Sequence, residues 1–432
     1  VPDRTADFQQ AQAHDSLDRQ ALLVAAGVFV AMVVDGLDLQ VLALALPSLM
    51  KDLELSTVSA GALSTYTLLG MGVGGVLAGW LADRIGRVRV TWWAVFTFTF
   101  CTGLIALCRE YWQIAALRFV SGFGIAALYS IGTLLAAEYA PTRIRNTVLG
   151  ILQAGWSLGY VIAALASSYI LPTWGWRPLF LCAIAPGIVA LALLWSLPDP
   201  PSWRASQARS AAGGAAAGWA GTFAIIWRDS KIRRTFVLWS AASIALQFGY
   251  YGANSWLPSY IVKDLGINLQ SMGWYVAGAY SMGFFSKILI GWLADRLGRK
   301  ALWVATGLLT AAYLPFLIQM ATVENAPYLL LIFGGLYGAP YAVNSTYMTE
   351  SFPSAVRGTA VATSYNVGRL GSTLSPLLIG MVATNYSIGL GIASLGVAYA
   401  FCALIPAIFI PEKMYDPKAV EPAPAMAAGD RS

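Results

Sequence analysis

GWLADRIGR, from Gly79 to Arg87, recurs as GWLADRLGR from Gly291 to Arg299 with one conservative difference. The copies are 212 residues apart, and the same spacing carries Glu138, Pro141 and Arg145 onto Glu350, Pro353 and Arg357. It also carries Lys51-Asp52-Leu53 onto Lys263-Asp264-Leu265, and the Leu-Pro-Ser at Leu46 meets another at Leu257 after a slip of one residue. Agreement in register over so much of the chain marks an internal duplication, so each half is expected to build the same set of elements.

Outward from each nonapeptide run apolar stretches of about 20 residues, each long enough to cross a hydrocarbon core of about 30 Å. Only 11% of the 432 residues are charged and 58% are hydrophobic, with mean hydropathy +0.64, whereas an ordinary soluble domain is about 25% charged. Twelve spans are predicted, at 21–47, 58–81, 89–108, 112–137, 146–170, 176–197, 235–259, 272–294, 300–321, 327–349, 358–381 and 387–410. None alternates with a period of two, so the expected fold is an all-α membrane protein of twelve transmembrane helices in two six-helix halves. The first run is too long for a signal peptide and carries two aspartates, so it is expected to stay with the chain.

The expected division is a tail at 1–20, a bundle at 21–197, a linker at 198–234, a second bundle at 235–411 and a tail at 412–432. Pro198, Pro200 and Pro201 open the linker, an Ala/Gly/Ser-rich stretch follows, and Arg228, Lys231, Arg233 and Arg234 close it. This reads as a flexible basic connector, the alternative being a short amphipathic helix around Trp219 to Trp227. About 20 of the 27 Lys and Arg residues fall on the side holding the tails and the linker, against Lys51, Arg109, Arg177 and Lys263 on the other, which places both termini in the cytoplasm. The net charge of +6 therefore reports topology and argues for no nucleic-acid partner. Because six spans separate equivalents, the halves share one membrane orientation, related by an axis along the membrane normal.

Both nonapeptides fall in loops on the cytoplasmic side, joining the second and third helix of their half. Gly75, Gly79, Gly283 and Gly291 are read as allowing close helix approach. The charges of Asp83, Arg84, Arg87, Asp295, Arg296 and Arg299, with Gly86 in the turn and Glu138, Arg145, Glu350 and Arg357 nearby, are read as a latch that holds one conformation and releases another.

An ionisable group in a span costs about 2.5–3.5 kcal/mol on insertion scales and is a functional candidate by default. Five stand deep: Asp35 and Asp38 in span one, Arg118 in span four, Lys287 in span eight and Arg369 in span eleven. Asp35 and Asp38, three residues apart, share a helix face, and two carboxylates that close in a medium of low dielectric cannot comfortably both be ionised. They are candidate proton carriers, with Arg118 as a partner for one; Gly36 between them permits a local helix break. Arg369 lies too deep to snorkel easily and presents a fork suited to a carboxylate. Lys287, about two turns from the cytoplasmic end, is either a second anion ligand or a snorkelling side chain. Tyr250, Tyr251 and Asn254, Tyr337, Tyr341 and Asn344, Tyr365 and Asn366, and more weakly Gln153, Trp156 and Tyr160, are candidates to complete the site. Interfacial belts and packing account for many of the other aromatics.

GWLADRIGRVR resembles the signature loop of the major facilitator superfamily, and Arg118-x-x-x-Gly122-x-Gly124 resembles that superfamily's second motif. The resemblance covers nearly the whole chain and implies fold more than substrate. Within it, DGLDLQ at Asp35 to Gln40, GRLGSTLSPLL around Arg369 and the Glu138 to Arg145 loop resemble the aromatic acid:proton symporter family, which implies uptake of benzoate-like carboxylates with a proton. Lys287 departs from that pattern; a helix-eight cation together with Arg369 is similar to oxalate:formate exchangers. WGWRPLF at Trp174 is similar to sialate- and lactate-type symporters.

The expectation is thus a proton-coupled importer of a small organic anion in a bacterial inner membrane, working by alternating access. The alternatives are a carboxylate exchanger or facilitator and, against the Gly155-Trp156-Ser157-Leu158-Gly159 sequence of span five, a drug:proton antiporter. Its partners would be the anion, protons and the bilayer, and the carrier would act as a monomer with no cofactor. An enzyme is not expected. His14 is the only histidine, Cys101, Cys108, Cys182 and Cys402 are scattered, and there is no phosphate loop.

Overall fold

The computed structural model describes residues 19–139, 145–195, 197–199, 219–353 and 356–411, and within them every regular element is a helix. In the N-terminal half these are α1 (Arg19–Asp52), α2 (Thr57–Ile85), α3 (Arg87–Ile105), α4 (Tyr111–Ala127), α5 (Thr133–Tyr139), α6 (Arg145–Trp174), α7 (Trp176–Leu181) and α8 (Ile184–Trp195). α9 (Trp219–Arg228) belongs to the linker. The C-terminal half holds α10 (Ser230–Lys263), α11 (Leu269–Leu297), α12 (Arg299–Met320), α13 (Ala326–Tyr337), α14 (Tyr341–Glu350), α15 (Arg357–Val367), α16 (Arg369–Asn385) and α17 (Ile388–Phe409).

Each of the twelve predicted spans coincides with a helix or a pair of helices, and ten of these are long and apolar enough to cross a membrane. The seventh and eleventh fall short for reasons that concern the site. α10 runs for 34 residues but carries the polar positions Ser243, Gln247, Asn254, Ser255 and Ser259 among its buried ones. The eleventh span is interrupted at Gly368 into α15 and α16, directly before Arg369. Large apolar side chains on the outside, among them Trp93, Phe100, Phe285, Leu309 and Phe401, leave a surface suited to lipid rather than water.

The halves meet through α2 against α16, α6 against α11 and α1 against α10. Exchanging the halves turns the first pair into the second and the third into itself, the arrangement a two-fold repeat demands. At the end away from the nonapeptides the seam is tight: the hydroxyls of Thr57 and Thr384 lie 2.9 Å apart, and Thr65 donates to the Thr373 carbonyl at 2.8 Å. Gly61 faces the Pro376 carbonyl there, and a Cβ would collide with it.

The duplicated Lys-Asp-Leu survives as a duplicated contact. Asp52 accepts from Trp176 Nε1 at 2.9 Å and Arg177 at 3.0 Å, whereas Asp264 accepts from the Gly389 amide at 2.7 Å, the position corresponding to Arg177. Half-burial raises the Asp264 carboxyl above its usual value, and the Gly389 and Ile388 amides pull it back.

The nonapeptide turns are explained by their second glycine. Gly86 and Gly298 have φ of 106° and 96°, a conformation that strains any residue with a Cβ, and they let one helix end and the next begin without a loop. Asp199 accepts from the Val88 amide at 2.8 Å and so caps α3 from the start of the linker. Of the expected latch, Arg299 meets Glu350 at 3.2 Å, Arg357 donates to the Phe352 carbonyl at 3.2 Å, and Arg296 lies 3.7 Å over Trp292. Arg84 is exposed and Arg87 half-buried. The side chains of Asp83, Glu138, Arg145 and Asp295, and all of Pro141, lie outside the described residues.

Three expectations need correction. Gly79 and Gly291 do not serve close approach, since a Cβ at either would meet nothing within 4 Å, and Gly75 sees only ordinary contact. Gly283 does pack, against the Gly334 carbonyl. Gly36 does not break its helix either: α1 is continuous through it, and the missing side chain instead admits the Trp156 backbone of α6, while Gly159 of α6 lies on the Val33 carbonyl. The linker, expected to be a flexible basic connector with a short helix around Trp219 to Trp227 as the alternative, forms that helix as α9, whose Ile226 is fully buried and whose Phe223 packs edge-on to Phe236 at 6.1 Å, while 200–218 lie outside the described residues.

Candidate functional site

Between the halves, midway along the helices and extending toward the nonapeptide end, lies a cavity of about 580 Å³, within the range of small-molecule sites. Its wall combines Asp35 of α1, Gln153 and Trp156 of α6, Tyr250 and Tyr251 of α10, Lys287 of α11, Tyr341 and Asn344 of α14, Tyr365 of α15 and Arg369 of α16. Side chains spread over some 330 residues of sequence thus converge on one chamber because both halves contribute to it. The aromatic residues form a continuous wall. Tyr250 stacks on Trp156 at 6.4 Å, meets Tyr341 at 4.7 Å and stacks on Tyr337 at 5.1 Å; Trp156 leans on Tyr160 at 4.4 Å.

The two aspartates of α1 have different surroundings. Three residues along a helix leave a rotation of about 60°, enough to separate their environments. Asp38 turns away from the chamber to Arg118, whose Nη1 lies 3.3 Å from Oδ1 and 3.4 Å from Oδ2, and the Thr102 hydroxyl donates to it as well. Both members of this pair are wholly buried, and Phe180 lies 5.2 Å from the guanidinium centre. Asp35 turns to the chamber, and its buried Oδ1 has no hydrogen-bond partner among the described residues. Asp35 is therefore the aspartate of the two that faces the chamber, and the ion pair of Asp38 and Arg118 is a strut between α1 and α4 behind it, with Arg118 Nε and Nη2 buried and without a hydrogen-bond partner among the described residues.

Arg369 follows the Gly368 interruption, where a Cβ would collide with Gln247. Its side chain is 8% exposed and its Nε donates to Asn366 Oδ1 at 3.2 Å. No carboxylate of the described residues lies within ion-pair distance of Arg369 or Lys287. Lys287 does not snorkel: it lines the chamber, with Nζ 5.9 Å from the centre of the Tyr250 ring. Tyr341 Oη and Asn344 Oδ1 are also buried without a partner among the described residues. Such a set of unanswered polar groups in an aromatic chamber is what a polar, flat ligand would satisfy.

Asn254 and Asn366 do not line this chamber. Asn254 accepts from Tyr337 Oη at 3.2 Å and borders a separate void of about 30 Å³ with Gln40 and Arg118, while Asn366 orients Arg369. Tyr129, Ser157, Phe284 and Ser345 line the chamber without having been anticipated. The repeat contained the signal for two of them, since the nonapeptide spacing carries Tyr129 onto Tyr341 and Ser157 onto Arg369. Tyr129 is aimed by a π-helical turn at Leu128–Gly132, stacks toward Tyr365 at 6.4 Å and lies 3.4 Å from Gln153 Nε2.

The chain is 44% identical to the cis,cis-muconate transport protein of Acinetobacter baylyi over 390 residues, covering 90% of this chain and 94% of that one. It is 26% identical to the benzoate transport protein of the same organism, covering 90% of each. The crystal structure of a D-xylose-proton symporter superposes with a TM-score of 0.75 at 21% identity, covering 90% of this chain and 98% of the other, a likeness of fold alone. The sequence profile of the Major Facilitator Superfamily matches residues 28–375 and 260–429. The chain belongs to the major facilitator superfamily and is a membrane transporter, not an enzyme.

Proposed function

We propose that the protein takes up a small organic acid with a proton, by alternating access, across a bacterial inner membrane. The observation that carries this reading is the facing of Asp35 and Arg369 into one chamber between the halves. Arg369 holds a carboxylate of the anion. Asp35, free of any salt bridge among the described residues, takes the proton, so that anion and proton together leave the site closer to neutral than either alone. The names of the relatives support an organic acid as cargo.

In this reading the helices form twelve crossings, in bundles at 21–197 and 235–411, with both termini in the cytoplasm and the carrier acting as a monomer. The nonapeptide end is then cytoplasmic, the seam at Thr57 and Thr384 closes the outer side, and the chamber faces inward. Rocking of the halves about the chamber would expose it alternately. The Arg299–Glu350 pair would be part of the latch.

The test is uptake into proteoliposomes of radiolabelled carboxylates, with and without an inward proton gradient. Accumulation that follows the gradient is expected. Lys287, a second cation in the same chamber, favours one other reading, an exchanger without proton coupling; counterflow at full rate with no response to the gradient would establish that reading in its place.

A further inference from the structure

Among the described residues the chamber holds one acid and two cations. Lys287 reaches it from α11 and Arg369 from the start of α16, and neither has a carboxylate within ion-pair distance among the described residues. Lys287 stands against the ring of Tyr250, whose centre is 5.4 Å from that of Tyr251, and Arg369 is held by Asn366 next to Tyr365. The cations therefore stand at different places on one aromatic wall. When Asp35 carries its proton, both positive charges are left to be answered by whatever binds. A single carboxylate on Arg369 would leave the Lys287 ammonium buried without a counter-charge, which is costly in a medium of low dielectric.

We propose that the chamber selects a dicarboxylate, with one carboxylate on Arg369 and the other on Lys287. The carbon chain between them lies flat along Tyr250 and Trp156, and Tyr341 Oη and Asn344 Oδ1 stand beside it for whichever polar groups it carries. This inference rests on the assignment of Arg369 to carboxylate capture, and adds that Lys287 determines which acids are accepted. A planar, conjugated chain suits the aromatic wall better than a saturated one, because its π system can lie against the rings that line it.

The experiment is counterflow in proteoliposomes without a proton gradient, competing labelled cis,cis-muconate with unlabelled muconate, adipate, sorbate and benzoate. Sorbate shares the six-carbon diene chain of muconate with a methyl group in place of one carboxylate. The wild-type protein is expected to prefer muconate to sorbate by at least about tenfold, the lower value of one charge-assisted hydrogen bond. In Lys287→Met the muconate-to-sorbate affinity ratio is expected to fall to within about threefold of unity, and in Lys287→Arg to stay above about tenfold, since the charge is kept. Equal affinity for muconate and sorbate in the wild type, or an undiminished ratio in Lys287→Met, overturns the proposal. Exchange of sorbate and benzoate with exclusion of both diacids overturns it while leaving the organic-acid reading intact; exchange of no carboxylate at all overturns both.

Discussion

In the N-terminal half, helix four brings Arg118 to Asp38 and the charges cancel inside the bundle. The corresponding position of the C-terminal half is Leu330, and there the cations stand instead on α11 and α16, where the first half has Gly75 and Ser157. One scaffold, used twice, thus holds an ion pair closed behind the chamber in one half, where Asp35 faces the chamber unpaired among the described residues, and leaves both cations of the other half open to it. The duplication supplies the shape, and the charges that diverged afterwards supply the chemistry. Ser157 and Arg369 occupy equivalent positions in the chamber wall, as do Leu39 and Tyr251, Gln153 and Tyr365, and Tyr129 and Tyr341, so the wall kept the positions of the repeat, and of these pairs the last alone kept its residue type.

The largest effect should come from breaking the closed side. Arg118→Leu leaves Asp38 buried without its partner and is expected to cost about 3–5 kcal/mol of stability, read as a lowered midpoint of thermal unfolding in detergent. Asp38→Asn in the same chain should recover part of the loss; an unchanged midpoint in the single variant would mean that the pair is not a strut.

On the open side the expectation reverses, with binding lost and fold kept. Arg369→Ala should weaken anion binding at least about 30-fold, the low end of what removing one partner of a buried charge pair costs, while the unfolding midpoint stays near wild type. Calorimetry on the purified protein checks both halves of this statement, and undiminished affinity would take Arg369 out of the site.

Asp35→Asn sharpens the comparison, since among the described residues Asp35 is the one acid that the N-terminal half turns to the chamber. Gradient-driven accumulation should be lost, because a carboxamide cannot take up the proton that couples the two fluxes, with counterflow retained. Asp38→Asn, which acts through the strut, should impair both together. Wild-type accumulation by Asp35→Asn would end its assignment as proton carrier.

The smallest effects test packing. Gly36→Ala and Gly159→Ala force α1 and α6 apart and should each cost about 1–3 kcal/mol as overpacked contacts do. Gly79→Ala and Gly291→Ala, which open into free space inside their helices, should not lower the unfolding midpoint and should raise it slightly, since Ala in a helix interior is favoured over Gly by about 0.5–1 kcal/mol. Equal behaviour of the two sets would show that the close approach of α1 and α6 carries no strain.

Much of this was legible in the chain. The nonapeptide repeat and the apolar runs specified two matching helical halves, because hydrophobic length and internal register are properties of sequence alone. The rarity of charge within apolar runs singled out Asp35, Asp38, Arg118, Lys287 and Arg369, since each is too costly to keep without use. What the one-dimensional pattern left open was orientation. A rotation of about 60° along α1 decides that Asp35 meets the chamber and Asp38 meets Arg118, and it depends on the close seating of α6 against Gly36. Whether Lys287 reaches the interface or the chamber depends on the placement of Tyr250, and whether a glycine packs depends on which helix lies opposite. Those are distances between elements far apart in the chain, and only the packing of the two halves sets them.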